Sequence, residues 1–457
     1  MTPYRMMIAV FCLAGCSVPI FEPNARQAVS ARFASPVPQA GRELDMNWWA
    51  SFRDPQLAEL LRLARQSSPD LRSAAASVLA ARATARQSDA GLYPTLDGSA
   101  SITRSGGENT SRQTTEQGGL DASWELDLFA KAASQSKADR DRASAEEISY
   151  VGSYVSLSSE VADYYVQYRA CRETESIYRA ALASQSETLE ATRGLVEFGL
   201  GSESDQSLAI ANSANAKISL TGQQADCRIL AQTLAVTVGS PQHVVDSILG
   251  KGGGLPTPAE FRVGSVPSDL IRQRPDIVAA ELNFGAALGD TRVAQADLFP
   301  SLSLSGSITA TNPQSWQFGP ALSLPIFDGG ARRAAVRSSN AASLAAAETY
   351  RATVLAAVAE VEGALTKLNA AGQKAASTRT AVNEYDKYFK AADENWSAGA
   401  TSLLDREEAR RQLQDAQMTE ISVREDRLRQ WIALYKAMGG GWRATRRPAA
   451  PAPTEES

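Results

Sequence analysis

Four segments of the chain alternate apolar and polar residues with a period of two, the pattern of strands with one greasy and one wet face. In the first, Leu96, Gly98, Ala100 and Ile102 alternate with Thr95, Asp97, Ser99, Ser101 and Thr103. In the second, Leu120, Ala122, Trp124, Leu126 and Leu128 alternate with Asp121, Ser123, Glu125 and Asp127. The third sets Leu302, Leu304, Gly306 and Ile308 against Ser301, Ser303, Ser305, Ser307 and Thr309, and the fourth puts Trp316, Phe318, Pro320, Leu322, Leu324 and Ile326 on one face. Strands are predicted over 95–104, 118–129, 300–310 and 315–326, each near the ~9–11 residues of a tilted membrane-spanning strand. The polar stretches Arg104 to Gly119 and Ala310 to Ser315 are predicted as solvent-facing hairpin loops. A soluble half-buried sheet gives the same alternation. The uniformly polar opposite face, with small residues among the apolar ones, suits a water-filled lumen better. Four strands cannot close a pore, and an open sheet edge is not tolerated in lipid. Such a chain must oligomerise; three copies give twelve strands.

Between these segments the period changes. Lys131 to Phe198 holds no proline and two glycines, Gly152 and Gly194. After the break Gly199-Leu200-Gly201, helix resumes from Ser202 to Val238. Arg332 to Ala398, the break Gly399-Ala400 and Thr401 to Met438 repeat this plan. Two helical hairpins, 131–238 and 332–438, are therefore expected, their longer arms reaching ~100 Å at 1.5 Å per residue. Their polar and small-residue faces fit a coiled-coil rod or the wall of a hollow helical tube. Cys171 and Cys227 lie symmetrically about Gly199, which brings them to one height in an antiparallel hairpin. In an oxidising compartment they are expected to form a disulfide, the alternative being two buried thiols.

The halves repeat. Pro69-Asp70-Leu71 returns as Pro275-Asp276-Ile277, Leu92-Tyr93-Pro94 as Leu298-Phe299-Pro300, and Ser101-Ile102-Thr103 as Ser307-Ile308-Thr309, at an offset of 206 with 14 of 35 positions identical over 69–103. Gly199, Asp205, Leu234 and Gly239 match Gly399, Asp405, Leu434 and Gly439. A period near 200 exceeds any solenoid repeat and marks two copies of one large unit, taken as 51–250 and 251–442.

Composition narrows the function. The 457 residues carry 46 Lys+Arg and 51 Asp+Glu, a net charge of −5 that speaks against a nucleic-acid partner. The single histidine, His243, leaves no basis for a histidine metal site or a His-dependent triad, so no catalytic or metal residues and no cofactor are expected. At the N-terminus, Arg5, the apolar run Met6 to Ala14 and Leu13-Ala14-Gly15-Cys16 resemble an export signal (1–15) ending in the lipobox of bacterial lipoproteins. That resemblance implies acyl chains on Cys16 and, with Ser17 following, sorting to the outer membrane. Residues 16–50 are expected as an extended lipidated segment, and the Arg- and Pro/Ala-rich 443–457 as a disordered tail.

Assembled, these features resemble the TolC-like outer membrane factors, the efflux lipoproteins that serve resistance-nodulation-division pumps. Trp48-Trp49-Ala50-Ser51-Phe52-Arg53-Asp54-Pro55-Gln56-Leu57, Arg274-Pro275-Asp276, Ala296-Asp297-Leu298-Phe299-Pro300 and Leu324-Pro325-Ile326-Phe327-Asp328-Gly329-Gly330 carry the resemblance. Trp124 to Phe129 matches too, with Ala130 where the family usually has glycine. The resemblance implies an α+β membrane protein: a homotrimer whose twelve-stranded β-barrel is continued by a twelve-helix periplasmic α-barrel. A collar is implied around 240–270 and the segment before Trp48. The implied partners are outer-membrane lipid, a periplasmic adaptor protein and an inner-membrane transporter, in a Gram-negative bacterium. It also implies that Asp405, and its repeat partner Asp205, gather around the three-fold axis as a periplasmic gate. With Ser402 where some relatives carry a second acid, closure through Leu403 and Leu404 is an added route. For either aspartate, the bland alternative is a solvated carboxylate favoured by a helix N-terminus. The expected function is a passive efflux conduit. A type I secretion duct and a non-conducting coiled-coil lipoprotein are the alternatives, and an enzyme is not expected.

Overall fold

The computed structural model describes residues 34–37, 46–108, 110–257, 273–310 and 314–442. Cys16, its signal and the 443–457 tail lie outside them, as does most of the 16–50 segment and residues 258–270 of the expected collar. In chain order come a 3₁₀ turn Trp48–Phe52, helices α1 (Pro55–Ser67) and α2 (Pro69–Ala90), strands β1 (Thr95–Gly107) and β2 (Thr110–Leu126), and helices α3 (Lys131–Glu197), α4 (Glu203–Val238) and α5 (Gln242–Leu249). Helix α6 (Pro275–Ala296), strands β3 (Ser301–Ala310) and β4 (Ser315–Ser323), and helices α7 (Ala331–Ser397) and α8 (Leu403–Ala437) follow. The chain divides into two compact units: one contains Thr84–Asp141 and Phe284–Glu348, the other Gln27–Ala83, Arg142–Asn283 and Thr349–Ser457.

The first unit holds an antiparallel sheet in the order β1-β2-β3-β4. Its register locks the two faces. Leu96 pairs with Ala122, Gly98 with Leu120, Leu120 with Ile308, Trp124 with Leu304, Gly306 with Phe318 and Ile308 with Trp316, so apolar meets apolar. On the other face Thr95 pairs with Ser123, Ser123 with Ser305, Asp121 with Ser307, and Asp97 with Asp121. Two carboxylates set directly opposite are tolerable only in water. The apolar face is bare: Trp316 is 79% and Phe318 70% exposed.

Two expectations about the strands need correction. The stretch Arg104 to Gly119 is mostly not a loop, because β1 continues to Gly107 and β2 begins at Thr110. Polar Ser, Thr, Arg and Gln residues satisfy a two-sided wet ribbon as well as a loop, so polarity alone misled. At their other ends β2 stops at Leu126 and β4 at Ser323, short of 129 and 326. Asp127 leaves the sheet to accept the Ala132 and Ala133 amides (3.0 and 2.8 Å) at the start of α3, and Pro325 has no amide to continue β4. Between β2 and α3, Ala130 takes a left-handed φ of 56°. Phe129 stacks on Phe299 at 4.7 Å and Lys131 pairs with Asp297 at 2.7 Å.

The second unit is helical, and the 3₁₀ turn and α1 anchor its main core. Trp48 stacks on Tyr435 at 4.4 Å, and Phe52, Leu57 and Leu60 pack with Tyr165, Leu234 and Val245. Asp54 caps α1 through the Gln56 and Leu57 amides and also accepts the Tyr165 hydroxyl at 2.5 Å. Burial and that bond push the Tyr165 phenol well above its usual range. Arg169 bonds Tyr165, Gln56 and the Gly253 carbonyl, tying α3 to the chain after α5. In a smaller core, Leu365 and Leu368 of α7 meet Trp431 and Leu434 of α8. Ala34 and Ser35 donate their amides to Glu362, laying residues 34–37 along α7.

Candidate functional site

Each hairpin turns on a glycine. Gly199 and Gly399 hold φ of 70° and 72°, a region that disfavours a Cβ. The amides of Leu200 and Gly201 reach the Leu195 carbonyl (2.8 and 2.9 Å), and that of Ala400 reaches Asn395 (2.8 Å), closing the C-termini of α3 and α7. The return helices are capped differently. Ser402 and Asp405 form a capping box on α8: Ser402 Oγ accepts the Asp405 amide, while the Asp405 carboxylate accepts the Ser402 amide (3.3 Å) and hydroxyl (2.7 Å). On α4, Ser202 accepts the Ser204 amide instead, and Asp205 is exposed on the first turn.

Both aspartates are therefore at the tips and in solvent, and Asp405 also does a capping job that Asp205 does not. The two leucines separate. Leu404 projects, 65% exposed, whereas Leu403 is 6% exposed and packs inside the chain. Leu403 is thus corrected from a mouth-closing residue to one that holds the tip together, because a helix turn sends neighbouring residues about 100° apart.

Beneath the tip lies a charged cluster that the sequence reading missed. Arg406 donates to Asp393 of α7 (2.5 Å), to Thr188 Oγ1 of α3 (2.6 Å) and to Glu407 (3.0 Å), with its guanidinium 4.7 Å over the Trp396 ring. Glu407 also accepts from Arg410 and from Gln185 of α3. Burial lowers the Arg410 pKa although Glu407 works to raise it. The cluster joins α3, α7 and α8 just behind the turns. In the sequence, Asp405-Arg406-Glu407-Glu408-Ala409-Arg410-Arg411 reads as a solvated face. The usable signal was spacing: Leu403, Arg406, Arg410 and Leu413 follow one buried stripe at intervals of three and four, and all four are buried.

Farther along the first hairpin, Cys171 and Cys227 are joined as a disulfide with Cα atoms 5.6 Å apart. Gln223 donates to the Cys171 carbonyl at 3.2 Å beside it. Among the described residues no group of His, Cys, Asp and Glu could hold a metal ion, and no helix is long and apolar enough to cross a membrane. His243 is exposed on α5.

Comparison with known proteins completes the picture. The sequence model of the outer membrane efflux protein family matches residues 60–240 and 266–440. Nodulation protein T of Rhizobium leguminosarum bv. viciae is 30% identical over 476 residues, covering 100% of this chain and 97% of that protein. The pyoverdine export outer membrane protein OpmQ of Pseudomonas aeruginosa is 32% identical, covering 87% of this chain and 88% of its own. The outer-membrane channel OprN superposes with a TM-score of 0.83 at 28% identity, covering 93% of this chain and 99% of OprN.

Proposed function

The chain belongs to the outer membrane efflux protein family, and from that premise we propose that three copies assemble into the outer-membrane conduit of a tripartite efflux system. The observation that carries this reading is the sheet. Its register keeps one face apolar and bare and the other wet, as a barrel wall between lipid and water requires. Among the described residues β1 and β4 each pair on one side only. Unpaired backbone in lipid costs several kcal/mol per group, roughly, so the edges must meet in a neighbouring copy. Three copies close twelve strands around a lumen and bring twelve helices into a tube.

Substrate passes through without chemical change, and a partner pump supplies the energy. The hairpin tips form the mouth that meets a periplasmic adaptor and a resistance-nodulation-division transporter. Asp405 and Asp205 ring the axis there, favouring cations and opposing anions. Arg406, through Asp393 and Thr188, holds the second hairpin against the first and so keeps the mouth narrow. Acyl chains on Cys16 add an anchor to the outer membrane, and the Cys171–Cys227 bond forms in the oxidising periplasm. The test is to purify the protein in detergent, measure its mass and insert it into a planar bilayer. A trimer with discrete conductance steps is expected; a folded monomer that passes no current overturns the reading.

A further inference from the structure

The β1–β2 ribbon outruns its neighbours. β3 ends at Ala310, opposite Gly118, and beyond that level, among the described residues, only β1 and β2 remain paired, through Ser105 with Gln113. On the apolar face the rows climb from Leu126, Leu302 and Leu322 to Ile102, which is 75% exposed. From Leu126 to the level of Ile102 the strand rises about 34 Å, or about 26 Å once tilted by ~40°, against an apolar band of ~25 Å in outer-membrane barrels. The next positions on that same face are Arg104, paired with Thr114, and then Arg112, whose side chain lies over Gly106. Both arginines are exposed. Two acids share the ribbon: Glu116 across from Ile102, and Glu108 at the turn.

We propose that Arg104 and Arg112 bind the phosphorylated headgroup of the glycolipid in the outer leaflet. This rests on the reading that the apolar face contacts lipid. An acyl chain lying on Leu96, Leu120 and Ile102 ends where the two guanidiniums begin, so one lipid molecule meets both surfaces. A lipid with chains against the band must present its phosphates at this height. Guanidinium matches phosphate geometry with two parallel N–H donors. A ribbon built only to solvate the channel exit has no need to place its arginines on the lipid side of the sheet. Glu116 opposes the phosphate, and its neutralisation strengthens binding.

The experiment is native mass spectrometry of the purified full-length oligomer, titrated with bisphosphorylated lipid A and with dephosphorylated lipid A of the same chains. The phosphorylated form is expected to bind about thirtyfold more tightly, at ~1 kcal/mol for each of the two arginines near an anionic surface. Combined Arg104→Gln and Arg112→Gln should erase that preference and leave the dephosphorylated lipid's affinity unchanged. The Lys/Lys pair should keep part of the preference, and Glu116→Gln should enlarge it. Equal binding of the two lipids by the native protein, or an undiminished preference in the Gln/Gln variant, overturns the proposal. So does displacement by inorganic phosphate at equal concentration, which assigns the site to a free anion. Conductance of the same preparations separates the outcomes: a conducting oligomer without lipid discrimination sinks this proposal alone, and a non-conducting one sinks the channel reading.

Discussion

At the scale of single residues, Ala130 and Asp405 are where the chain departs from the simplest solution. Ala130 occupies a left-handed conformation at the β2–α3 junction, where glycine carries no Cβ penalty. Ala130→Gly should therefore stabilise the sheet-bearing unit by about 1 kcal/mol, seen as a higher thermal midpoint of the oligomer in detergent. The repeat-related junction uses Gly329 and Gly330, with φ of 64° and 89°, and needs no such relief. Asp405 combines charge with a cap, and substitutions can divide the two. Asp405→Asn keeps an oxygen for Ser402 and removes the charge; the conductance of the closed mouth should rise with helix stability nearly unchanged. Asp405→Ala should lose about 1 kcal/mol of capping besides. If Asp405→Asn leaves single-channel conductance as it was, the carboxylate is a cap and nothing more.

Among the elements, the two hairpins are fastened by different means. The first is cross-linked through Cys171 and Cys227, 56 residues apart. A loop of that size implies about 4 kcal/mol of stabilisation in the chain-entropy picture. Changing both cysteines to alanine should lower the midpoint of unfolding accordingly, and the native protein should run faster on a non-reducing gel than the variant. The second hairpin is held by the Arg406 cluster. Arg406→Ala takes the cation from Asp393, leaves Glu407 to Arg410 alone and removes the donor to Thr188, a loss on the order of 1–3 kcal/mol because Asp393 is 45% exposed to water. Faster hydrogen exchange across 393–410 and a larger conductance are the expected readouts. Arg406→Lys should not rescue either, because one ammonium cannot reach Asp393, Thr188 and Glu407 while stacking on Trp396. Protected exchange in Arg406→Ala would show that α7 and α8 hold the tip without it.

For the whole molecule, stability in lipid depends on one face of one sheet. Phe318→Arg puts a charge in the middle of the apolar band and should cost about 2–4 kcal/mol of membrane stability. Its cross-face counterpart Ser305→Arg should insert normally and change only ion selectivity, so the ratio of inserted to aggregated protein distinguishes the two. The sequence by itself determined much of this: period-two alternation named the faces, unbroken stretches without proline named the long helices, glycines named the turns, and the symmetric placing of Cys171 and Cys227 about Gly199 paired them. These are local or periodic signals, written in the order of residues along one element. Only the tertiary structure decided that β1 and β2 run on to Gly107 and Thr110, that Leu403 turns inward while Leu404 faces out, and that Arg406 bridges three helices. The first outcome is settled by backbone pairing across a tight hairpin, Ser105 with Gln113, and the last by a partner 218 residues away; a charged side chain carries the same letter whether water or Thr188 accepts its proton.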